Sequence, residues 1–278
     1  MSKMKSCLMW FGGKLNMLDD LFPFPEHDIF IDVFGGSGVV LLSKIPSNYE
    51  IYNDLNERLY NFWVVIKNRC EEVKYLCNLK GDIESRKLFE MYKLPSEDSL
   101  EDAFRFFYVN RHSYSGQNDG FIGRGDKRPK HKYYLNELER LSDISERLKY
   151  VRIENQDFKQ LIKRFNEPRV LLYVDPPYFK GGDEYEKGIG GIEWTDKDQK
   201  DLYNILLDFK GLFVLSIDNK DFYHNDNWFY QEIIRTNHSA SHFIDGKRSK
   251  SIEYIIRNFD INKIEKQKQI SSGGFLML

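Results

Sequence analysis

Apolar residues fall along this chain in two alternating kinds of run. Short continuous runs, bounded by Gly, Pro, Asp or Asn, predict buried strands at 27–34 (HDIFIDVF), 50–54 (EIYND), 150–155 (YVRIEN), 170–175 (VLLYVD), 212–218 (LFVLSID), 230–235 and 251–259. Between them the spacing turns helical. Leu59, Phe62, Trp63 and Ile66, then Val73 and Leu76, predict one long helix over 55–79. Further helices are expected just after GGSG, at 157–165, and at 195–209 with Thr195 as N-cap. From 80 to 150 the alternation is lost. That stretch reads as mostly helical, with a polar, glycine-rich, basic loop from about His112 to Lys132.

Strands alternating with helices imply a mostly parallel α/β sheet covered on both faces. The interruption predicts a helical insertion over 60–149 in a main domain made of 1–59 and 150–278. Ligands of such sheets sit at the carboxyl ends of the strands. Three polar segments fall at predicted carboxyl ends: GGSG (35–38), the Asn-Asp of the second strand, and DPPY (175–178).

Composition changes this picture little. The 278 residues are 41% hydrophobic and 30% charged, as in an ordinary globular protein, but the 15% aromatic content is high enough to supply flat binding surfaces. A net charge of −2 excludes a purely electrostatic nucleic-acid binder and leaves room for a local basic patch. Three cysteines without a CxxC support neither a disulfide framework nor a structural zinc site. The histidines lack metal-like spacing, so no metal is expected. No run is apolar enough for a membrane span or a signal peptide, and a cytoplasmic location is expected.

The sharpest chemistry is Asp175-Pro176-Pro177-Tyr178. An exocyclic amine on a base is a poor nucleophile because its lone pair is delocalised into the ring. Asp175 can accept one of its N–H hydrogens and the Pro176 carbonyl the other, with proline stiffening the backbone. Tyr178 offers a stacking face. A plain strand stop is the bland alternative. In DVFGGSG, Phe34 to Gly38, glycines let backbone approach a ligand and free amides at a helix start, although a tight turn would read the same. Asp54 sits where doubly wound folds hold a ribose diol; it would equally cap the helix beginning at Leu55. Trp10 and Lys14 in MWFGGK either pack locally or meet an adenosine and an anionic group. The loop after His112 carries Arg124, Lys127, Arg128 and Lys130 with Tyr114. It is either a DNA-facing patch or a solvated surface, and Lys247 and Arg248 present the same choice.

Together WFGGK, DVFGGSG, YNDLN and DPPY, in that order, resemble the Dam-like, D12 class of adenine-specific DNA methyltransferases. The resemblance runs over about residues 5–260. It implies a Rossmann-like S-adenosylmethionine-dependent fold with a DNA-recognition insertion. It also implies methylation of N6 on a flipped adenine in double-stranded DNA. Cofactor contacts would be Trp10, Lys14, Asp32, Phe34, Gly35, Gly36, Ser37, Gly38, Asp54, Asp157, Phe158 and Asp175. Catalysis would rest on Asp175, Pro176 and Tyr178. Asn110, Arg111, Tyr114, Arg124, Lys127, Arg128, Lys130, Lys247 and Arg248 would face DNA. A cognate restriction endonuclease is a candidate partner, and a monomer or weak dimer is expected. Two alternatives stay open: an amine methyltransferase for cytosine N4, RNA or protein glutamine, and a non-catalytic DNA-binding protein on a methylase fold.

Overall fold

A computed structural model of the chain describes residues 4–10, 12–81, 83–113, 120–121, 130–177, 194–218, 220–236, 243–244, 247–248 and 250–264. The apolar runs become strands, buried on both faces in the middle of the sheet and partly exposed in its outer strands. These are β1 (Ile29–Asp32), β2 (Tyr49–Asn53), β3 (Val151–Glu154), β4 (Val170–Val174), β5 (Leu212–Ile217), β6 (Phe229–Thr236), the short pair β7 (Phe243–Ile244) and β8 (Lys247–Arg248), and β9 (Lys250–Arg257). Helices intervene: α1 (Leu18–Leu21), α2 (Val39–Ser43), α3 (Glu57–Lys80), α4 (Arg86–Tyr92), α5 (Ser99–His112), α6 (Lys130–Leu148), α7 (Phe158–Arg164) and α8 (Asp196–Leu207).

The main sheet has seven strands in the order β3-β2-β1-β4-β5-β9-β6. The pairs from β3 through to β5 are all parallel, and β9 runs against both its neighbours. Alternate residues of β4 serve opposite cores. Leu171 and Tyr173 join the layer that holds α3, α5 and α6, while Val170, Leu172 and Val174 join the layer of α7 and α8. This two-sided burial is why the strand reads as an unbroken apolar run. The chain moves outward in opposite directions from β1 and β4, so the switch point of the sheet lies between them.

The elements expected from periodicity are present within a residue or two at their ends. Thr195 caps α8 in a capping box with Asp198. Helices α4, α5 and α6 interrupt the strand alternation between β2 and β3, and the boundary expected at 60 falls inside α3. Helix α3 packs on α5 and α6 and also reaches β3, so it belongs to both regions. No helix among the described residues is long and apolar enough to cross a membrane. The three cysteines are free thiols in buried positions.

One buried ion cluster holds the far end of α6 to the sheet. Glu50 of β2 pairs with Lys44, just after α2, and with Arg147 of α6 at 2.5 Å. Arg147 also donates to the Leu41 carbonyl at 2.7 Å. Burial would raise the Glu50 carboxyl, but Arg147 and Lys44 more than offset it and hold the group below its ordinary value. Removing the acid strands two cations together. Glu50→Ala is therefore expected to lose about 3–5 kcal/mol of stability, read as a lowered urea midpoint; an unchanged midpoint would contradict the cluster's role.

Candidate active site

The glycine loop after β1 is fixed at a single peptide unit. The Gly36 amide donates to Asp54 Oδ2 at 2.9 Å. The Gly36 carbonyl accepts from the Tyr52 hydroxyl at 2.6 Å and from the Trp63 indole N–H at 3.2 Å. A Cβ on Gly36 would lie 2.6 Å from Trp10 Nε1, and one on Gly35 would lie 2.1 Å from the Tyr52 ring. Gly36 and Gly38 also have positive φ, at 50° and 67°. Both glycines of the pair are thus required by rings on either side. Burial, then the Asp54 and Asp32 charges, pushes the Tyr52 phenol well up, so it stays protonated as a donor.

Around this loop the strand ends are tied together. Asn53, at the end of β2, donates from its side-chain nitrogen to the Val33 carbonyl at 2.9 Å and to the Gln156 carbonyl at 3.1 Å, and accepts from the Gln156 amide at 2.9 Å. It therefore links the ends of β1, β2 and β3. Asp54 accepts at its other oxygen from the Asn56 amide at 2.9 Å. The cap of α3 is Asn56, whose side chain accepts from Arg58 and Leu59. A carboxylate has about four acceptor sites, so two amide bonds leave Asp54 capacity for a diol. Asp157 caps α7 by accepting from the Lys159 amide at 2.8 Å. Phe158 is buried and meets Phe34 and Trp194, with ring centroids 5.5 and 5.4 Å apart; Phe34 and Trp194 are also 5.4 Å apart. The three rings form an aromatic cluster beside the glycine loop and the start of α7.

Across the switch point, Asp175 follows β4 directly. Its Oδ2 pairs with Lys14 Nζ at 2.8 Å, and Lys14 also donates to the Gly12 carbonyl at 2.7 Å. Lys14 is only 2% exposed. Sequence reasoning gave Lys14 an anionic group of the cofactor; here its ammonium is set on Asp175. Pro176 is buried beside it. Asp32, at the end of β1, is 1% exposed, and neither carboxylate oxygen has a hydrogen bond of full geometry. Burial, then the charges of Asp175 and Asp54, pushes its carboxyl well above the ordinary range; the Leu41 N–H near the start of α2 offsets only part of this. Asp54 is raised as well, chiefly by burial, against its two amide bonds. Although these acids feel one another, no group of three or more His, Cys, Asp or Glu among the described residues is arranged to hold a metal ion.

Trp10, Lys14, Asp32, the Phe34–Gly38 loop, Asp54, Phe158 and Asp175 thus converge on one end of the sheet. Asn110 and Arg111 have other surroundings. Asn110 is 1% exposed and bonded to the Met9 main chain, and Arg111 is packed against Glu137. Both face inward because the same turn of α5 that carries them packs on the N-terminal segment. Tyr178, Tyr114, Arg124, Lys127 and Arg128 lie outside the described residues, as do the side chains of Lys130, Lys247 and Arg248. Tyr52, Asn53, Trp63 and Trp194 were missed as site residues. The adjacent glycines signal that something packs closely on them, but not which ring does.

A group whose folded pKa is raised stabilises the fold below its unfolded value and loses that contribution as pH rises through the folded value. Asp32 is such a group and is therefore costly at neutral pH. Asp32→Asn is expected to raise the melting temperature at pH 7–8, with the gain vanishing below the ordinary aspartate value of 3.8. Thermal melts across pH check this, and a uniform loss at every pH would reject it.

Residues 10–270 match the D12 class of N6 adenine-specific DNA methyltransferases. Among curated proteins, the chain is 29% identical over 192 residues to a DNA adenine methylase of Salmonella typhi, covering 64% of this chain and 66% of that one. It is 27% identical over 187 residues to the DNA adenine methylase of Escherichia coli K12, with the same coverage. It is 32% identical over 123 residues to that of Serratia marcescens, covering 42% of this chain and 45% of that one. The matches to the first two span 66% of those relatives' length. With its family match spanning nearly the whole sequence, the chain belongs to the D12 class of N6 adenine-specific DNA methyltransferases.

Proposed function

We propose that this protein transfers a methyl group from S-adenosylmethionine to N6 of an adenine flipped out of double-stranded DNA. The observation that carries the reading is the pairing of two halves across the β1/β4 switch point: a glycine loop fixed against Trp10 and Asp54, and Asp175 oriented by Lys14. Membership in the D12 class supports the reaction, and the names of the similar DNA adenine methylases support the base.

The cleft suits S-adenosylmethionine. Its rigid glycine cradle gives a close backbone surface, Trp10 and the Phe34–Phe158–Trp194 cluster suit a flat ring, and Asp54 has acceptor capacity for a ribose diol. Asp32, which is buried without a full hydrogen bond, fits an ammonium or other donor. When bound, this cofactor supplies a methyl group on positively charged sulfur. Asp175 then accepts one N6 hydrogen and the Pro176 carbonyl the other. This would localise the nitrogen lone pair in line with the methyl group, and Asp175 would take up the surplus proton that the methylated amine gives away and pass it to water. Lys14 holds the Asp175 carboxylate in a single orientation, so little reorganisation is needed in the transition state. Tyr178 is assigned the stacking wall for the flipped base, whose extrusion costs a few kcal/mol.

DNA recognition is assigned to the region 60–149, a helical interruption of the strand alternation. Tyr114, Arg124, Lys127, Arg128 and Lys130 supply cations and a ring for phosphates and base edges, and Lys247 and Arg248 a second basic site. Expression in a methylation-deficient host is expected to add N6-methyladenine at a single enriched motif, read by modification-sensitive sequencing. Asp175→Ala is expected to abolish the mark while the far-ultraviolet spectrum stays near wild type and the melt falls, because the buried Lys14 ammonium loses its carboxylate partner. No new mark on adenine from the wild-type chain would overturn the reading.

A further inference from the structure

Three main-chain carbonyls of the N-terminal segment are gripped by helices encoded about a hundred residues later. The Asn110 carboxamide of α5 faces Met9 with both ends: Oδ1 accepts from the Met9 amide at 2.9 Å, and Nδ2 donates to the Met9 carbonyl at 2.7 Å. Arg111 reaches the Cys7 carbonyl at 3.4 Å, and Arg140 of α6 reaches the Ser6 carbonyl at 3.4 Å. Both arginines share Glu137, at 3.7 and 2.7 Å, and Glu137 is itself buried. An asparagine bonded this way imitates one rung of a β-ladder, and burial makes the loss of either bond costly.

The gripped segment leads straight into the cleft. Trp10 follows Met9 and lies against Gly36, and Lys14 orients Asp175. A turn closed by the Gly13 amide on the Trp10 carbonyl at 3.2 Å joins the two. A shift of α5 and α6 relative to the sheet therefore moves the Trp10 ring and the Lys14 ammonium with it. At its other end α6 holds the Leu41 carbonyl of α2 through Arg147, so the same helix touches the cleft's frame twice.

We propose that Asn110, supported by Arg111, Glu137 and Arg140, is a positioning residue that couples the α5–α6 helices to the Trp10–Lys14 side of the cleft. Engagement of DNA by the 60–149 region thereby changes affinity for the cofactor. This rests on the DNA-methyltransferase reading above. Coupling of this kind is reciprocal: duplex DNA and cofactor alter each other's binding by one common factor.

The test uses the full chain and Asn110→Asp, which keeps the size and the Oδ1 acceptor but turns an oxygen toward the Met9 carbonyl. Affinity for S-adenosylhomocysteine is measured by calorimetry, with and without saturating sheared duplex DNA from a methylation-deficient host. In the wild type the two affinities are expected to differ by roughly fivefold or more. In Asn110→Asp that ratio is expected to fall to near one, with DNA affinity in the absence of cofactor within about twofold of wild type, since the residue is bonded to Met9 and faces no DNA. Hydrogen exchange at the amides of residues 7–14 should accelerate in the variant without any ligand, which reads the grip independently of cofactor chemistry. Arg140→Met, at a side chain 28% exposed, is expected to give a smaller change in the same direction and serves if Asn110→Asp does not fold. An unchanged ratio, or a loss of DNA affinity alone, overturns the proposal. Failure of the wild type to bind S-adenosylhomocysteine at all, with exchange still accelerated in the variant, would instead remove the functional reading and leave the grip standing.

Discussion

The geometry of this cleft depends on one peptide unit. Gly36 gives its amide to Asp54 and its carbonyl to two aromatic donors, while the Trp10 ring occupies the space that a side chain would need. Four segments thus meet at one residue: the N-terminal turn, the loop after β1, the end of β2 and helix α3. Each contact is modest, but the carbonyl is buried and has its acceptor needs met twice over. A shift of the loop would leave polar atoms of Tyr52 and Trp63 without a partner in an apolar layer, which sets a stiff penalty on any other loop position.

The same end of the sheet concentrates negative charge. The charges of Asp175 and Asp54 add to the cost of ionising the buried Asp32, and Lys14 is paired with Asp175. A fold selected for stability alone would not place three acids at adjoining strand ends. The arrangement is intelligible as a site prepared for a donor-rich, positively charged ligand, whose binding would return part of the electrostatic cost. Stability and chemistry oppose each other here, and the tight packing of both sheet layers is what allows the opposition to persist.

Much of this was legible in the sequence because strands buried on both faces must be apolar throughout and must end where polarity begins. β1, β2 and β4 read clearly, and the ends of β2 and β4 named Asp54 and Asp175, with the glycine loop after β1, whereas Asp32 came only from the family resemblance. The parts that were not legible depend on distant chain segments. Nothing in the helical spacing of Trp63 distinguishes a core ring from a donor to Gly36. Trp194, just ahead of the cap of α8, meets Phe34 and Phe158. The family resemblance assigned Asn110 and Arg111 to a DNA-facing surface. They turn inward because the N-terminal segment brings unsatisfied main-chain groups to α5, and only polar side chains could meet them. The Lys14–Asp175 pair likewise joins two motifs whose proximity no local pattern encodes.

The placement of helices α3 to α6 between β2 and β3 bears on how the molecule is made. Asn53 must find Gln156, 103 residues further along, before the ends of the first three strands are tied. The Asp28–Arg169 pair at the foot of β1 and β4 spans 141 residues. During synthesis β1 and β2 therefore emerge long before either of their outer neighbours. Their exposed edges must wait while the helices form from local contacts. Parallel pairing at such separation is slow and leaves strand edges open to association with other chains. A chain that stalls between β2 and β4 would carry the glycine loop and Asp54 but not yet Asp175.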